Sequence, residues 1–309
     1  MSGVSIIKIK PEDDDIRLNR WFLREYPALS LSRLQKLLRT KQIKVDGKRA
    51  ETSTRLKMGQ EVRIPPLDNE KAQPDSKQIT PKDIDYMKSL VIYKDKDIIV
   101  LNKPSGLAVQ GGTNTTRHID GMLEALKYEN SEKPKLVHRI DKETSGILLL
   151  ARNRKIAEVL TKAFREHTIQ KTYLAILRGC PDKSAGEINK PLEKVGEKMA
   201  VTPAGKKAIT LYKVLDKAGK KYSLVEAEPL TGRTHQIRAH MEAMGTPILG
   251  DDKYYGKERK RLTEIVDKLY LHAYKIDLTS ILKHRMIIKA ELPSHFASAC
   301  KFFGLEIKE

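Results

Sequence analysis

The sequence predicts an α+β protein in two parts: a small basic N-terminal module, and a larger domain built on a mixed, mostly antiparallel sheet. Three observations lead there. The 309 residues suffice for two or three domains at roughly 100–200 residues each. Residues 68–80, DNEKAQPDSKQIT, show no periodicity and few apolar positions, so the chain divides at a linker. Beyond it, the strand-like runs 98–101, 147–151, 173–177 and 222–227 do not alternate regularly with the helical stretches 121–128 and 155–166, as a doubly wound sheet would require. The boundaries read as 15–66 for the module, 67–84 for the linker and 85–309 for the second domain.

Each element of the module has its own signal. Leu18, Trp21, Phe22 and Tyr26 recur at helical spacing, with Arg17, Arg20 and Arg24 on the remaining positions. Ser30 or Ser32 can cap a second helix carrying Leu34, Leu37 and Leu38 beside Arg33, Lys36 and Arg39. Ile43 and Val45 run into an Asp46-Gly47 turn, a hairpin signal. Glu61, Val62, Arg63 and Ile64 then alternate as a strand ending at Pro65-Pro66. Trp21 and Phe22 can in principle stack on bases, but their spacing with Leu18 assigns them to the core.

Charge narrows the partner. The chain has 59 Lys and Arg against 40 Asp and Glu, a net charge of +19 and a pI near 9.7. Residues 15–66 alone hold 13 Lys and Arg against five Asp and Glu, a net of +8. Such a field suits a polyanion, either nucleic acid or an acidic membrane surface. A hydrophobic content of 39% is too high for a disordered basic tail, and 6% aromatics disfavours a surface of base-stacking platforms. Cys180 and Cys300 are the only cysteines, too few for a disulfide framework or a cysteine zinc site. The apolar runs fall far short of the roughly 18 residues that suggest a membrane span, and the N-terminus lacks a signal architecture. These features point to a soluble cytoplasmic protein, with no membrane role and a nucleic acid as partner.

Two segments concentrate polar side chains. In VHRIDKETSGILLL, residues 137–150, a polar loop feeds a buried strand and places Asp141 at the sheet's end beside Arg139, Thr144 and Ser145. An Asp in a loop is, taken alone, more often a turn or capping residue. In LTGRTHQIRAH, residues 230–240, His235 and His240 lie five apart, an awkward step on one helix face, and no carboxylate stands at ligand spacing, which disfavours a metal. Asp141 with Glu143 as a hydrolase pair is also disfavoured, since residues two apart in this stretch would not act as facing carboxylates across a substrate.

HRIDKETSG, KTYLAILRG and LTGRTHQIRAH, in that order, resemble the three signature motifs of RNA pseudouridine synthases of the RluA type. NKPSGLAVQGG and YLHAYKIDL fit the same pattern, so the resemblance extends over essentially the whole chain. Helix, helix, IKVDGKRA and LKMGQEVRI resemble the S4 RNA-binding domain. GDDKYYGKERKRL and VQGG make the chain most similar to the RluC branch, which acts on large-subunit ribosomal RNA.

The resemblance implies isomerisation of uridine to pseudouridine: the N1–C1′ bond breaks, the uracil turns, and C5 joins C1′. Such a reaction needs no redox change or net hydrolysis, hence no cofactor and no metal. It assigns Asp141 as the carboxylate that attacks or stabilises the sugar, with Arg238 fixing its direction by bidentate hydrogen bonding. Tyr173 stacks on the uracil and serves proton transfer. The uridine must be flipped out; Arg139 then fills the vacated space or contacts a phosphate, with His138 assisting. Arg233 is assigned to backbone phosphate, and Arg17, Arg20, Arg33, Lys36 and Arg39 to RNA docking. Lys103, Tyr254 and Tyr255 are further candidates for RNA contact, whereas His235 and His240 read as packing or hydrogen-bonding residues. The implied partner is large-subunit ribosomal RNA, free or in assembly intermediates, bound by a monomer with no obligate protein partner. Two alternatives remain at this stage: action on another RNA such as tRNA, and a non-catalytic S4-domain assembly factor. Joint retention of Asp141, Tyr173 and Arg238 speaks against the latter. Two departures from the family pattern stand out: Ile140 where leucine is commoner, and a GDDKYYG loop one residue longer than usual.

Overall fold

The Ser30 hydroxyl accepts a hydrogen bond from the Arg33 amide at 3.2 Å and so opens the second helix of the N-terminal module. The protein is seen here as a computed structural model that describes residues 4–26, 29–67, 79–111, 115, 117–255, 262–282 and 284–307. The chain divides into two units, Met1–Gln78 and Ile79–Glu309.

The first unit contains β1 (Ser5–Lys8), α1 (Leu18–Glu25), α2 (Leu31–Arg39), β2 (Lys44–Val45), β3 (Lys48–Arg49) and β4 (Glu61–Ile64). Its antiparallel sheet runs β1-β4-β2-β3. Asp46 and Gly47 both take positive φ, 48° and 71°, as a tight two-residue hairpin demands. Leu18, Trp21, Phe22, Leu34, Leu37, Leu38 and Val62 form its core. Trp21 donates its indole N–H to Asp13 at 3.2 Å, and Arg24 pairs with the same buried carboxylate at 2.6 Å. Both aromatics are therefore packed inside. β1 lies outside the 15–66 boundary read from sequence, because within SIIK only Ile7 is partly buried, against the module's core, which leaves too little alternation for a pattern to reveal.

Residues 68–78 of the expected linker lie outside the described residues. Its last part is not linker: Pro81 opens α3 (Pro81–Ser89), fixed by a capping box in which the Asp83 amide donates to Thr80 Oγ1 and the Thr80 amide to Asp83 Oδ2.

The second unit continues with β5 (Val91–Lys94), β6 (Ile98–Lys103), α4 (Ile119–Met122), β7 (Lys135–Leu136), β8 (Ser145–Ala151), α5 (Arg154–Arg165) and β9 (Gln170–Arg178). Then come β10 (Ala185–Asn189), β11 (Leu192–Val195), β12 (Lys198–Val201), β13 (Ile209–Ala218), β14 (Tyr222–Pro229) and α6 (Gln236–Ala243). β15 (Leu271–Asp277), α7 (Thr279–Leu282), β16 (Ile287–Lys289) and α8 (Ser294–Phe303) follow. The main sheet has ten strands along the order β10-β13-β14-β9-β15-β8-β6-β5, with β7 and β16 pairing beside β8 and β15. Every pairing in it is antiparallel except β8 with β15, so the sheet is mixed.

That parallel pair is the seam of the sheet, and a glycine makes it possible. Gly146 sits at φ +104°, and a Cβ there would fall 2.2 Å from the Ala273 carbonyl oxygen. All seven residues of β8 are buried. Leu148, Leu149 and Leu150 among them contribute about 1.5–3 kcal/mol each by leaving water. One core cluster surrounds β6 and β8, and a second surrounds β9, β14 and β15 beneath α6 and α8. The seam thus anchors the polar loop that precedes β8. Among the described residues, no helix is long and apolar enough to cross a membrane.

Candidate active site

A cleft of about 510 Å³ opens between the loop before β8, the end of α5, β9 and the loop leading to α6. Asp141, Tyr173, Arg238, His138, Arg139 and Arg233 all line it, although their segments are scattered from 138 to 238.

Asp141 is partly exposed, in the loop that turns into β8; its own carbonyl accepts from the Thr144 amide at 3.2 Å. That loop is held from behind by Lys103. The Lys103 ammonium is fully buried and donates to the carbonyls of Pro104, Leu107 and Lys142 at 2.8–2.9 Å. Burial pulls its pKa down to about 7, against the opposing charges of Glu143 and Asp141. Ser105 adds a hydrogen bond to the Glu143 carbonyl at 2.8 Å. Lys103 therefore does not face RNA, contrary to the sequence reading: its three acceptors consume all three ammonium hydrogens.

Arg238 stands on α6 and is almost wholly buried. The sequence reading gave its bidentate fork to Asp141, and here the structure differs. Nε and Nη2 each bind Asp251 at 2.7 Å, while Nη1 approaches Asp141 Oδ2 at 3.5 Å. Burial works to lower the Arg238 pKa, but the hydrogen bonds and charge of Asp251, with Asp141 beyond, raise it overall. Asp251 also accepts from the amides of Lys253 and Tyr254, so the pair is a buried bidentate unit whose carboxylate is held by backbone as well.

Sequence reasoning missed Asp251. A signal existed in the preceding Gly250, at φ +74°, where a Cβ would lie 1.7 Å from the Lys268 carbonyl oxygen. The lengthened loop thus turns inward, and Tyr254 goes with it: it is buried, its ring centre lies 5.1 Å from the Arg238 guanidinium, and its hydroxyl accepts from the Met199 amide. Tyr255 bonds Arg178 instead.

His235 was read as a packing residue, and it occupies a more specific place. It is the left-handed N-cap of α6, at φ 50°, ψ 22°. Its Nδ1 meets the Tyr254 hydroxyl at 3.0 Å, and its Nε2 faces Asp141 Oδ2 at 3.8 Å. Burial lowers its pKa, partly offset by Asp141, and the ring is a neutral neighbour to the carboxylate. Gln236 braces the loop by accepting from Thr231 Oγ1 and the Arg233 amide and donating to the Ile209 carbonyl. His240 is fully buried between Thr210 and the Lys190 carbonyl, a structural residue as expected.

Tyr173 faces the cleft from β9. Burial, with the Asp141 charge behind it, raises its pKa, so the phenol stays protonated. His138 is committed to the fold. Its Nε2 accepts from the Leu149 amide at 2.8 Å, and its ring stacks on Phe164 with centres 4.2 Å apart. Burial and the Lys171 charge push its pKa down to about 3, so it offers RNA no charge. Arg139 is exposed at the cleft and has no hydrogen-bond or ion-pair partner among the described residues. Arg233 donates its Nε to the Lys207 carbonyl at 3.0 Å, which sets its direction. Among the described residues no three His, Cys, Asp or Glu side chains gather as a metal site would need.

Comparison with known proteins bears on this arrangement. The pattern of a family described as RNA pseudouridylate synthase matches residues 97–243, which include Asp141, Tyr173 and Arg238. The chain is 40% identical over 295 residues to the ribosomal large subunit pseudouridine synthase C of Rickettsia conorii, across 91% of this chain and 95% of that protein. It is 37% identical over 283 residues to the protein of the same name from Vibrio vulnificus, covering 89% of each. The solved structure of Human RNA Pseudouridylate Synthase Domain Containing 4 superimposes with a TM-score of 0.63 at 28% identity, over 74% of this chain and 99% of that one. The chain belongs to the RNA pseudouridylate synthase family, and within it to the RluA type.

Proposed function

We propose that this protein isomerises uridines of large-subunit ribosomal RNA to pseudouridine, with Asp141 acting at the sugar. The observation that carries the reading is electrostatic. Among the described residues, Asp141 is the single carboxylate lining a cleft of about 510 Å³ whose other charged side chains are all basic. A basic cleft draws in a phosphodiester strand, and one carboxylate at its floor meets the cation that develops at C1′ when the N1 bond breaks. The names of the relatives at 37–40% identity support the choice of large-subunit RNA as substrate.

Each remaining residue has a role in this reading. Arg238, anchored on Asp251, and His235 flank Asp141 Oδ2 and orient it without closing over it. Tyr173 presents a neutral phenol to the base, which stacks while the uracil turns. As C5 joins C1′, the proton leaves C5 and N1 regains one, so no outside reagent is consumed. Arg139, unpaired at the rim, is the side chain free to enter the space left by a flipped uridine.

The first unit is read as an S4-like RNA-binding domain. Arg17, Arg20, Arg33, Lys36 and Arg39 are exposed and have no carboxylate partner among the described residues, whereas Arg24 pairs with Asp13, and Arg55 and Lys57 pair with Asp15. Unpaired cations on two neighbouring helices suit a phosphate backbone. Two cysteines without a disulfide and an RNA substrate are consistent with a cytoplasmic enzyme.

The test uses protein-free large-subunit ribosomal RNA transcribed in vitro, followed by pseudouridine mapping. Wild type should introduce pseudouridine at discrete positions, and Asp141→Asn should introduce none while binding the RNA within a few fold. Equal behaviour of the two proteins, or no conversion by wild type, overturns the reading.

A further inference from the structure

The cleft carries more positive charge than its own residues balance. Arg139, Arg165, Lys171 and Arg233 line it, and none has a carboxylate partner among the described residues. Arg238 is matched by Asp251, and Asp141 is flanked by Arg238 and His235.

Three of the groups gather on one wall. Arg233 is tethered by its Nε to the Lys207 carbonyl, which leaves its terminal nitrogens available. His167 stands in the left-handed region at φ 58°, its ring 3.5 Å from where a Cβ on Gly232 would lie, so it packs beside the Arg233 loop. After burial, the charges of Lys171 and Arg233 are what lower the His167 pKa, which puts all three within electrostatic reach of one another.

Lys171 is the most informative member. On β9 the side chains alternate. Gln170 and Thr172 turn to Glu228 at 3.3–3.4 Å, while Lys171 and Tyr173 face the cleft. Glu228, the carboxylate that Gln170 and Thr172 bond, is thus on the other face. Lys171 is half-buried and makes no hydrogen bond or ion pair among the described residues; the Phe164 ring lies 6.0 Å away. A partly desolvated ammonium without a counter-charge is destabilising, and positions that break a folding rule in this way mark function.

We propose that Lys171, His167 and Arg233 form a subsite for a backbone phosphate of the RNA strand that carries the target uridine. This rests on the assignment of the cleft to RNA uridine chemistry and adds where the strand is gripped. Lys171 and Tyr173 are two residues apart on one strand face, about 6.6 Å, a length on the scale of the reach from a base to its own phosphate. One face of β9 then holds the base at Tyr173 and the phosphate at Lys171. A phosphate fits this wall better than a sugar hydroxyl because it brings a negative charge and accepts hydrogen bonds from several directions.

The test measures binding of the same in vitro transcript across a salt series, in an Asp141→Asn background so that no turnover intervenes, and steady-state kinetics with Asp141 intact. Lys171→Met should raise KM about tenfold with kcat within about threefold, and should reduce the slope of log Kd against log salt by about 0.7–0.9, one phosphate's worth. Lys171→Arg should restore most of both, which a loss of folding would not allow. Arg233→Gln should lower the slope similarly. The double variant should lose no more than either single one, since both side chains touch one phosphate. An unchanged slope, a loss confined to kcat, or a double variant that loses two phosphates' worth overturns the shared subsite. If wild type makes no pseudouridine, the assignment of function fails, and the salt slopes still decide the subsite.

Discussion

Arg238 holds Asp251 with Nε and one Nη, both at 2.7 Å, and reaches Asp141 only with its other Nη, at 3.5 Å. The guanidinium is a fixed positive wall for the carboxylate in the cleft, and its own counter-ion is elsewhere. Asp141 therefore keeps an oxygen face open to substrate while remaining next to a cation that cannot swing away.

Asp251→Asn should break this arrangement. The buried guanidinium loses its counter-charge, which costs about 3–5 kcal/mol of stability. Its fork is then free to close on Asp141, and isomerisation should drop about 100-fold even below the melting temperature. Denaturant unfolding and single-turnover pseudouridine formation check the two effects separately. Full activity in this variant would show that Asp251 does not set the position of Arg238.

Gly146→Ala should be among the most damaging single-methyl changes in the chain. The new Cβ would fall 2.2 Å from backbone of the neighbouring strand at a φ that alanine avoids. β8 and β15 must separate to admit it, with a loss of about 4 kcal/mol or more. Leu149→Ala, which leaves a cavity in the same strand without moving backbone, should cost about 2–5 kcal/mol. Because Gly146 lies five residues after Asp141, its variant should also lose activity under conditions where Leu149→Ala retains it.

The seam also predicts an acid limb in stability. His272 is fully buried, with Nδ1 at 2.9 Å from the Ser145 hydroxyl and Nε2 at 3.3 Å from the Ala290 carbonyl. The carbonyl requires a proton on Nε2, so Nδ1 accepts from Ser145 and the ring is neutral. Burial lowers its pKa to about 4 from 6.5. Between these values the unfolded chain binds the proton and the folded one does not, so stability is full above about pH 6.5 and falls as pH drops towards 4. The loss at pH 4 should be roughly 3 kcal/mol from this residue, read from urea unfolding at several pH values. A His272→Gln protein should show a shallower decline.

Exposed cations in the first unit should act on binding alone. Changing Arg33, Lys36 and Arg39 to Gln together should weaken binding to large-subunit ribosomal RNA and lower the salt slope by up to about 2.7, with little effect on the melting temperature or on kcat at saturating RNA. An unaltered slope would remove this helix from the RNA contact.

Much of the architecture was legible because its signals are local. Ser30, Asp46-Gly47 and the alternation of 61–64 are each read over a few residues, and the structure uses each as capping, turn and strand chemistry demand. Asp141 at the edge of a buried strand was equally plain from the polar loop that runs into Gly146 and Ile147. What stayed hidden depends on distant partners. Asp251 becomes meaningful only when Arg238 is buried beside it, 13 residues away on a different element. Lys103 looks like a surface cation until three carbonyls from 104, 107 and 142 close around it. Thr80-Pro81 and Asp83 did carry a capping signal, but it sat at the end of an aperiodic stretch and was absorbed into the linker.

The strand that bridges the two halves of the main sheet is also one of the last to be made. β15 lies between β9 and β8, and it comes from residues 271–277. Until that stretch leaves the ribosome, the strands bearing Tyr173 and those anchoring Asp141 share no backbone bond, however well each half has collapsed. Residues 137–238 supply all of the cleft's lining except Leu271, yet the backbone bonds that tie the Tyr173 strand to the Asp141 strand run through β15. The geometry between Tyr173 and Asp141 is thus set by a strand drawn from neither of their segments, nearly a hundred residues after Tyr173 in the chain.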